Sequence, residues 1–246
     1  MVIEVSIKRT LANTAEGVVL TIADFEIEKQ YQQALIASLN RRIKKGELCR
    51  LSKGKYYKPK NTIFGNLPPS SDEIIKDLLQ KGERITGYIT GTRAFAQMGL
   101  TTQISSSILV GTNKYRRPVE RKGNKISFLL QANNITEEKI PLLRILDAIR
   151  MIKEMPATSP DECIKRLCKL IQALPDCDKT ELVNLAMSYR PYVRAITGAI
   201  LEQIGSREIT NELKMSLNGV TTYKIPISDT VLKTKKNWNI YKSTGT

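Results

Sequence analysis

Residues 29–46 repeat with a helical period and carry two unlike faces, and this stretch limits the folds open to the chain more than any other. Gln32, Leu35, Ile36, Leu39 and Ile43 fall on one side of a helical wheel, and Gln30, Gln33, Ala34, Ala37, Arg41 and Lys44 fall on the other. The first side is core-forming. The second mixes long amide and guanidinium groups with small alanines, so the backbone can approach a surface closely while Gln and Arg reach out to it. A DNA major groove suits that face, because Gln and Arg pair with adenine and guanine edges there. Gly46 ends the helix, and residues 48–52 and 55–58 read as strands joined by the turn Lys53-Gly54.

Charge is concentrated in the same place. Residues 29–60 hold ten Lys/Arg against one acid, Glu47, a local +9 within a chain of net charge +15. Such a field attracts polyanions and adds a salt-dependent, sequence-blind component to affinity. A solvated basic surface is the ordinary explanation of an isolated charge run. Here helix, hairpin and charge agree, which favours the nucleic-acid interface.

Composition removes whole classes of function. The chain has no histidine, which excludes Ser-His-Asp and Cys-His nucleophiles, HExxH proteases and His-ligated zinc deaminases. Cys49, Cys163, Cys168 and Cys177 form no CxxC pair and are expected as free thiols of a reducing compartment. No apolar run approaches the roughly 18 residues that span a bilayer, and the start lacks a signal-peptide pattern, so a cytoplasmic protein is expected. Asp24, Glu26 and Glu28 fit helix-end electrostatics, and Asp178 with Glu181 fits a capping pair, better than metal ligation. No metal, no cofactor and no catalytic residue is expected.

In chain order, residues 1–11 fit a helix or a strand; a helix with Val2, Ile3, Ile7 and Leu11 on one side is preferred. Residues 17–21 read as a strand and 22–28 as a short helix. Helix, strand, helix, longer helix and two-stranded wing is the order of a winged helix-turn-helix, whose second helix reads DNA. On that fold Gln30, Gln33, Ala34 and Ala37 lie nearest the bases, while Arg41, Arg42, Lys44, Lys45, Arg50, Lys53 and Lys55 reach phosphates. The predicted fold class is therefore α+β: a winged helix over 1–60, a linker over 61–69 marked by Pro68-Pro69, and a larger domain over 70–246.

That domain opens with Ser70-x-x-Glu73, a capping box for a helix through residue 81. Its mixed segment, 70–135, contains strands at 108–111 and 126–130 flanking a basic loop, 114–125, with Arg116, Arg117, Arg121 and Lys122. Gly87 and Gly91 near Thr92 lack the GK[ST] of a phosphate loop. A helical bundle over 136–220 follows, including the Ser159-Pro160-Asp161-Glu162 start signal, then a strand and tail over 221–246 with Trp238 as a lid. Arg190 and Arg194, four apart, fit an anion contact or ordinary acid pairing.

Taken together, several stretches resemble the AbiEi family, antitoxin components of type IV, abortive-infection bacterial toxin–antitoxin systems. They are residues 46–57 in the wing, 89–92 and 99–103 in the middle, Leu146-Asp147-Ala148-Ile149-Arg150 with Ile152-Lys153, Arg194-Ala195 with 198–202, and Asn237-Trp238-Asn239-Ile240. The resemblance spans nearly the whole chain. It implies a transcriptional autorepressor that binds double-stranded operator DNA with inverted repeats through its winged helix. It also implies a C-terminal domain that counteracts a cognate nucleotidyltransferase-like toxin. Two other classes remain open: an RNA-binding module in which the basic loop Arg116 to Lys125 cooperates with the wing, and a metal-dependent enzyme built on Asp147, Glu202 and the Arg pair.

Overall fold

The computed structural model describes residues 2–63 and 65–242, with the Val2 side chain also outside the description. Val2, expected on the apolar side of the first helix, and residues 243–246 of the tail therefore lie beyond what is described. The protein is mixed α+β and divides into two compact units, residues 1–80 with 119–125, and 81–118 with 126–246.

The first unit begins with helix α1 (Val2–Asn13), strand β1 (Val19–Thr21) and a 3-10 turn, Ile22–Phe25. Glu26, at φ 51, redirects the chain into a second 3-10 turn, Lys29–Tyr31, and helix α2 (Gln32–Lys44). Strands β2 (Cys49–Ser52) and β3 (Lys55–Tyr57) form the hairpin, and β1 pairs antiparallel with β3, giving the order β1-β3-β2. Ile7, Leu20, Phe25, Leu35, Leu39, Leu48 and Tyr56 make the core between helices and sheet. Ile7, Leu35 and Leu39 come from the apolar faces of their helices, while Leu48 enters from the segment just before β2. Burial, with a contact from Cys49, pushes the Tyr57 phenol up to about 12.

Residues 61–69 are more structured than a linker. Strands β4 (Lys60–Thr62) and β5 (Gly65–Leu67) pair antiparallel, and helix α3 (Ser71–Leu79) follows within the same compact unit. Ser70 caps α3 by accepting from the Glu73 N–H, but Glu73 does not close the box. Its carboxylate instead accepts from the Val19 N–H of β1 at 3.1 Å. The unit thus extends through residue 80, and a boundary placed at 61–69 misses α3.

The second unit contains a sheet and a bundle. After the short strands β6 (Gln80–Lys81) and β7 (Arg84–Ile85) come β8 (Gly87–Thr90), helix α4 (Thr92–Gln97) and β9 (Ile108–Thr112). Strand β10 (Val119–Arg121), which belongs to the first unit, and β11 (Asn124–Leu130) follow in the chain; β8 and β9 are antiparallel, β9 and β11 parallel. The basic stretch after β9 is therefore a crossover rather than the turn of a β9–β11 hairpin.

Helices α5 (Ile140–Arg150), α6 (Pro160–Gln172), α7 (Asp176–Ala186), α8 (Pro191–Gln203) and α9 (Asn211–Met215) form the bundle. The full capping box forms at Ser159 with Glu162, and Pro160 sits in the first turn. Asp178 lies inside α7 and Glu181 pairs with Lys139 at 2.9 Å, so those two acids are not a cap. Strand β12 (Tyr223–Lys224) runs parallel to β13 (Ile240–Tyr241). Between them Trp238 sits over Gly198, where any Cβ would overlap the indole, and donates to Glu202 at 2.7 Å.

Candidate nucleic-acid interface

Helix α2 owes its position to its apolar face. Leu35, Ser38 and Leu39 are buried and Ile36 and Ile43 half-buried, so the opposite face must point away from the core. Gln33, Ala34, Ala37, Asn40, Arg41 and Lys44 occupy it, all exposed. The helix ends where Gly46 adopts φ 77, with the Gly46 N–H bonded to Ile43 O and the Glu47 N–H to Arg42 O, a Schellman stop. Lys45 is exposed at this end.

The hairpin adds a second cationic element. Gly54, at φ 73, makes the turn, Lys53 at its tip is exposed, and Arg50 lies along β2 with its Nε donating to Ser52 O at 3.3 Å. Among the described residues Lys44, Lys45, Arg50 and Lys53 have no acidic partner, and exposed Arg41 meets only Glu4, at 4.0 Å. Five cations are thus available to solvent anions on α2, its C-terminal end and the hairpin.

Three of the expected contact residues are differently employed. Arg42 is only 16% exposed at its side chain and bridges Glu4 and Glu47, each at 2.7 Å. Ser38 also donates to Glu4, and these bonds hold the Glu4 carboxyl below its ordinary range, tying α1 to α2. Lys55, 15% exposed, pairs with Asp77 on α3, and Arg121 binds the same carboxylate at 2.6 Å and Ile74 O at 2.7 Å. Burial alone would raise the Asp77 carboxyl, but Arg121 and Lys55 outweigh it and pull it down. Gln30 sits in the 3-10 turn before α2 and donates to Glu28 at 2.6 Å. Asn40 joins this face although it is not among the expected contact residues; its spacing of i+7 from Gln33 is the sequence signal that places it there.

The residues invoked for catalysis do not gather, and two cations of the basic loop are engaged within the protein. Arg121 is spent on Asp77, and Arg116 stacks 5.8 Å from the Phe128 ring. Asp147 is fully buried and accepts from Tyr88 at 2.7 Å, Thr90 at 2.8 Å and Tyr189 at 2.9 Å, while Gln131 donates to both phenols. Burial pushes its carboxyl up despite the three hydroxyl donors. Glu202 instead anchors Trp238 and Asn237, and Arg194 donates to Ser216 O. No group of three or more Cys, Asp or Glu side chains placed to hold a metal ion occurs among the described residues.

The chain is thus a mixed α+β protein whose first unit presents a bare polar helix face beside a basic hairpin. It belongs to a family of unknown function, DUF6088, which it matches over residues 6–178. No curated protein matches it. Among solved structures it is similar to the crystal structure of RV2827C protein from Mycobacterium tuberculosis. The TM-score is 0.47 and the identity 13%, over 88% of this chain and 82% of that one. No helix of the described residues is long and apolar enough to cross a membrane.

Proposed function

We propose that the first unit is a winged helix-turn-helix that binds operator DNA, and that the protein is a transcriptional autorepressor and antitoxin. In this proposal α2 enters the major groove with Gln33, Ala34, Ala37 and Asn40 against the bases. Arg41, Lys44, Lys45, Arg50 and Lys53 contact phosphates. The element order and the β1-β3-β2 sheet support this reading. The observation that carries the proposal is the unpacked polar face of α2, bare of apolar contacts while its other face fills the core. Arg42, Lys55 and Gln30 drop out of the contact set because intramolecular partners hold them.

The antitoxin half rests on the resemblance to the AbiEi family and assigns the counteracting of a nucleotidyltransferase-like toxin to the second unit. Binding of fluorescently labelled duplex from upstream of the gene, against a scrambled duplex, tests the first half. Gln33→Ala with Asn40→Ala should relax the preference for the operator duplex, since each bidentate base contact is worth about 1–3 kcal/mol of discrimination. Equal affinity of the wild type for both duplexes would overturn it. Co-expression with the neighbouring toxin gene tests the second half: unrelieved growth arrest would refute it.

A further inference from the structure

We infer that the second unit binds a small nucleoside phosphate in a cationic, tyrosine-walled cavity centred on Arg150, a site separate from the proposed DNA interface and independent of it. Arg150, the last residue of α5, lines two cavities, one of ≈ 430 Å³ and one of ≈ 180 Å³. Lys153 and Lys224 line the larger with it, and Arg190 lines the smaller. Against these four cations stands a single acid, Glu154. None of the four forms a salt bridge among the described residues, though Arg150 acts at longer range on the buried Asp147 carboxylate, whereas Lys139, Lys179, Arg121 and Lys235 of this chain each pair directly with an acid.

Arg150 borders both cavities and Arg190 only the smaller, and Tyr192 lies under the influence of both. Burial raises the Tyr192 phenol, and both guanidiniums act on it in the opposite direction. Tyr192 in turn donates to Arg150 O at 2.7 Å, which fixes the ring against the end of α5. A fork-shaped guanidinium flanked by ammonium groups matches the oxygens of a phosphate.

The rest of the wall is Thr222 and an aromatic, apolar surface. Tyr192, Tyr223 and Ile225 supply it, and flat ring surface beside cations is the recurring means of holding a nucleobase and its phosphate together. Tyr223 is 9% exposed, and its buried hydroxyl has no hydrogen-bond partner within the protein. A cavity of ≈ 430 Å³ falls in the size range of small-molecule sites, so a mononucleotide fits it better than a polymer.

Titration calorimetry of the full chain with ATP, AMP, adenosine and tripolyphosphate tests the site. Saturable binding of ATP or AMP is expected, with tripolyphosphate and adenosine both weaker than ATP. Arg150→Ala should weaken ATP at least tenfold. Lys153→Ala with Lys224→Ala, both exposed positions that leave the fold intact, should do so severalfold. Arg84→Ala with Lys114→Ala removes two charges from a different cavity of this unit and should leave affinity within twofold. The inference is overturned if neither nucleotide binds at up to about 5 mM. It is equally overturned if tripolyphosphate matches ATP, or if the Lys153/Lys224 and Arg84/Lys114 pairs weaken binding alike.

Discussion

Replacing Lys44 and Lys53 together by alanine separates cations that face solvent from cations that hold the first unit together. Five basic groups, Arg41, Lys44, Lys45, Arg50 and Lys53, are exposed on α2, its C-terminal end and the hairpin. If each neutralises one phosphate, the logarithm of DNA affinity should fall against the logarithm of salt with a slope of about −4.5. Removing two brings the slope to about −2.7, so raising salt from ~50 to ~200 mM should cost the wild type about 500-fold and the variant about 40-fold. Fluorescence anisotropy with a labelled duplex across that salt range measures both slopes. Arg42→Ala and Lys55→Ala make the decisive contrast, because each of those cations already has carboxylate partners in the protein. They should leave the slope near the wild-type value and lower the melting temperature instead. A double variant with an unchanged slope, or an equal fall in slope for Lys55→Ala, would refute the assignment of roles.

Two further expectations concern stability. The Asp77 carboxyl is lowered from its ordinary 3.8, so its clamp on Arg121 and Lys55 stabilises the folded state above that value and is lost as pH falls through the folded value. Asp77→Asn should therefore cost about 2 kcal/mol at neutral pH, and thermal melts should show the gap closing below pH ~4; a gap constant to pH ~3 would contradict the clamp. Gly198→Ala forces a Cβ into the Trp238 indole and should destabilise by about 1–3 kcal/mol with a red-shifted emission from the chain's single tryptophan. An unshifted spectrum and melting point would show that the helix and tail do not pack so closely.

Much of the first unit's local structure was legible from neighbouring residues. The two faces of α2, its stop at Gly46 and the Lys53-Gly54 turn depend on spacings of three, four or a few residues, which the backbone converts directly into geometry. The start of α6 at Ser159 was legible for the same reason. Ser70 shows the limit: its motif caps α3, but Glu73 finds a stronger claim in an unpaired N–H of β1, 54 residues away.

By itself the sequence determined the longer helices, their apolar faces and where positive charge accumulates, because those properties follow from residue order and side-chain chemistry. Only the tertiary structure decided which charges remain for a partner. Arg42 and Lys55 look no different from Lys44 and Lys53 along the chain, yet Glu4, 38 residues away, and Asp77, 22 residues away, neutralise the first two. In the same way, burial among Tyr88, Thr90 and Tyr189 made Asp147 a structural acceptor, and folding alone brought Arg150 beside Tyr192 and Tyr223. Partners so far apart in sequence leave no periodic trace, since a charge is assigned by the distance between groups in space and not by their separation along the backbone.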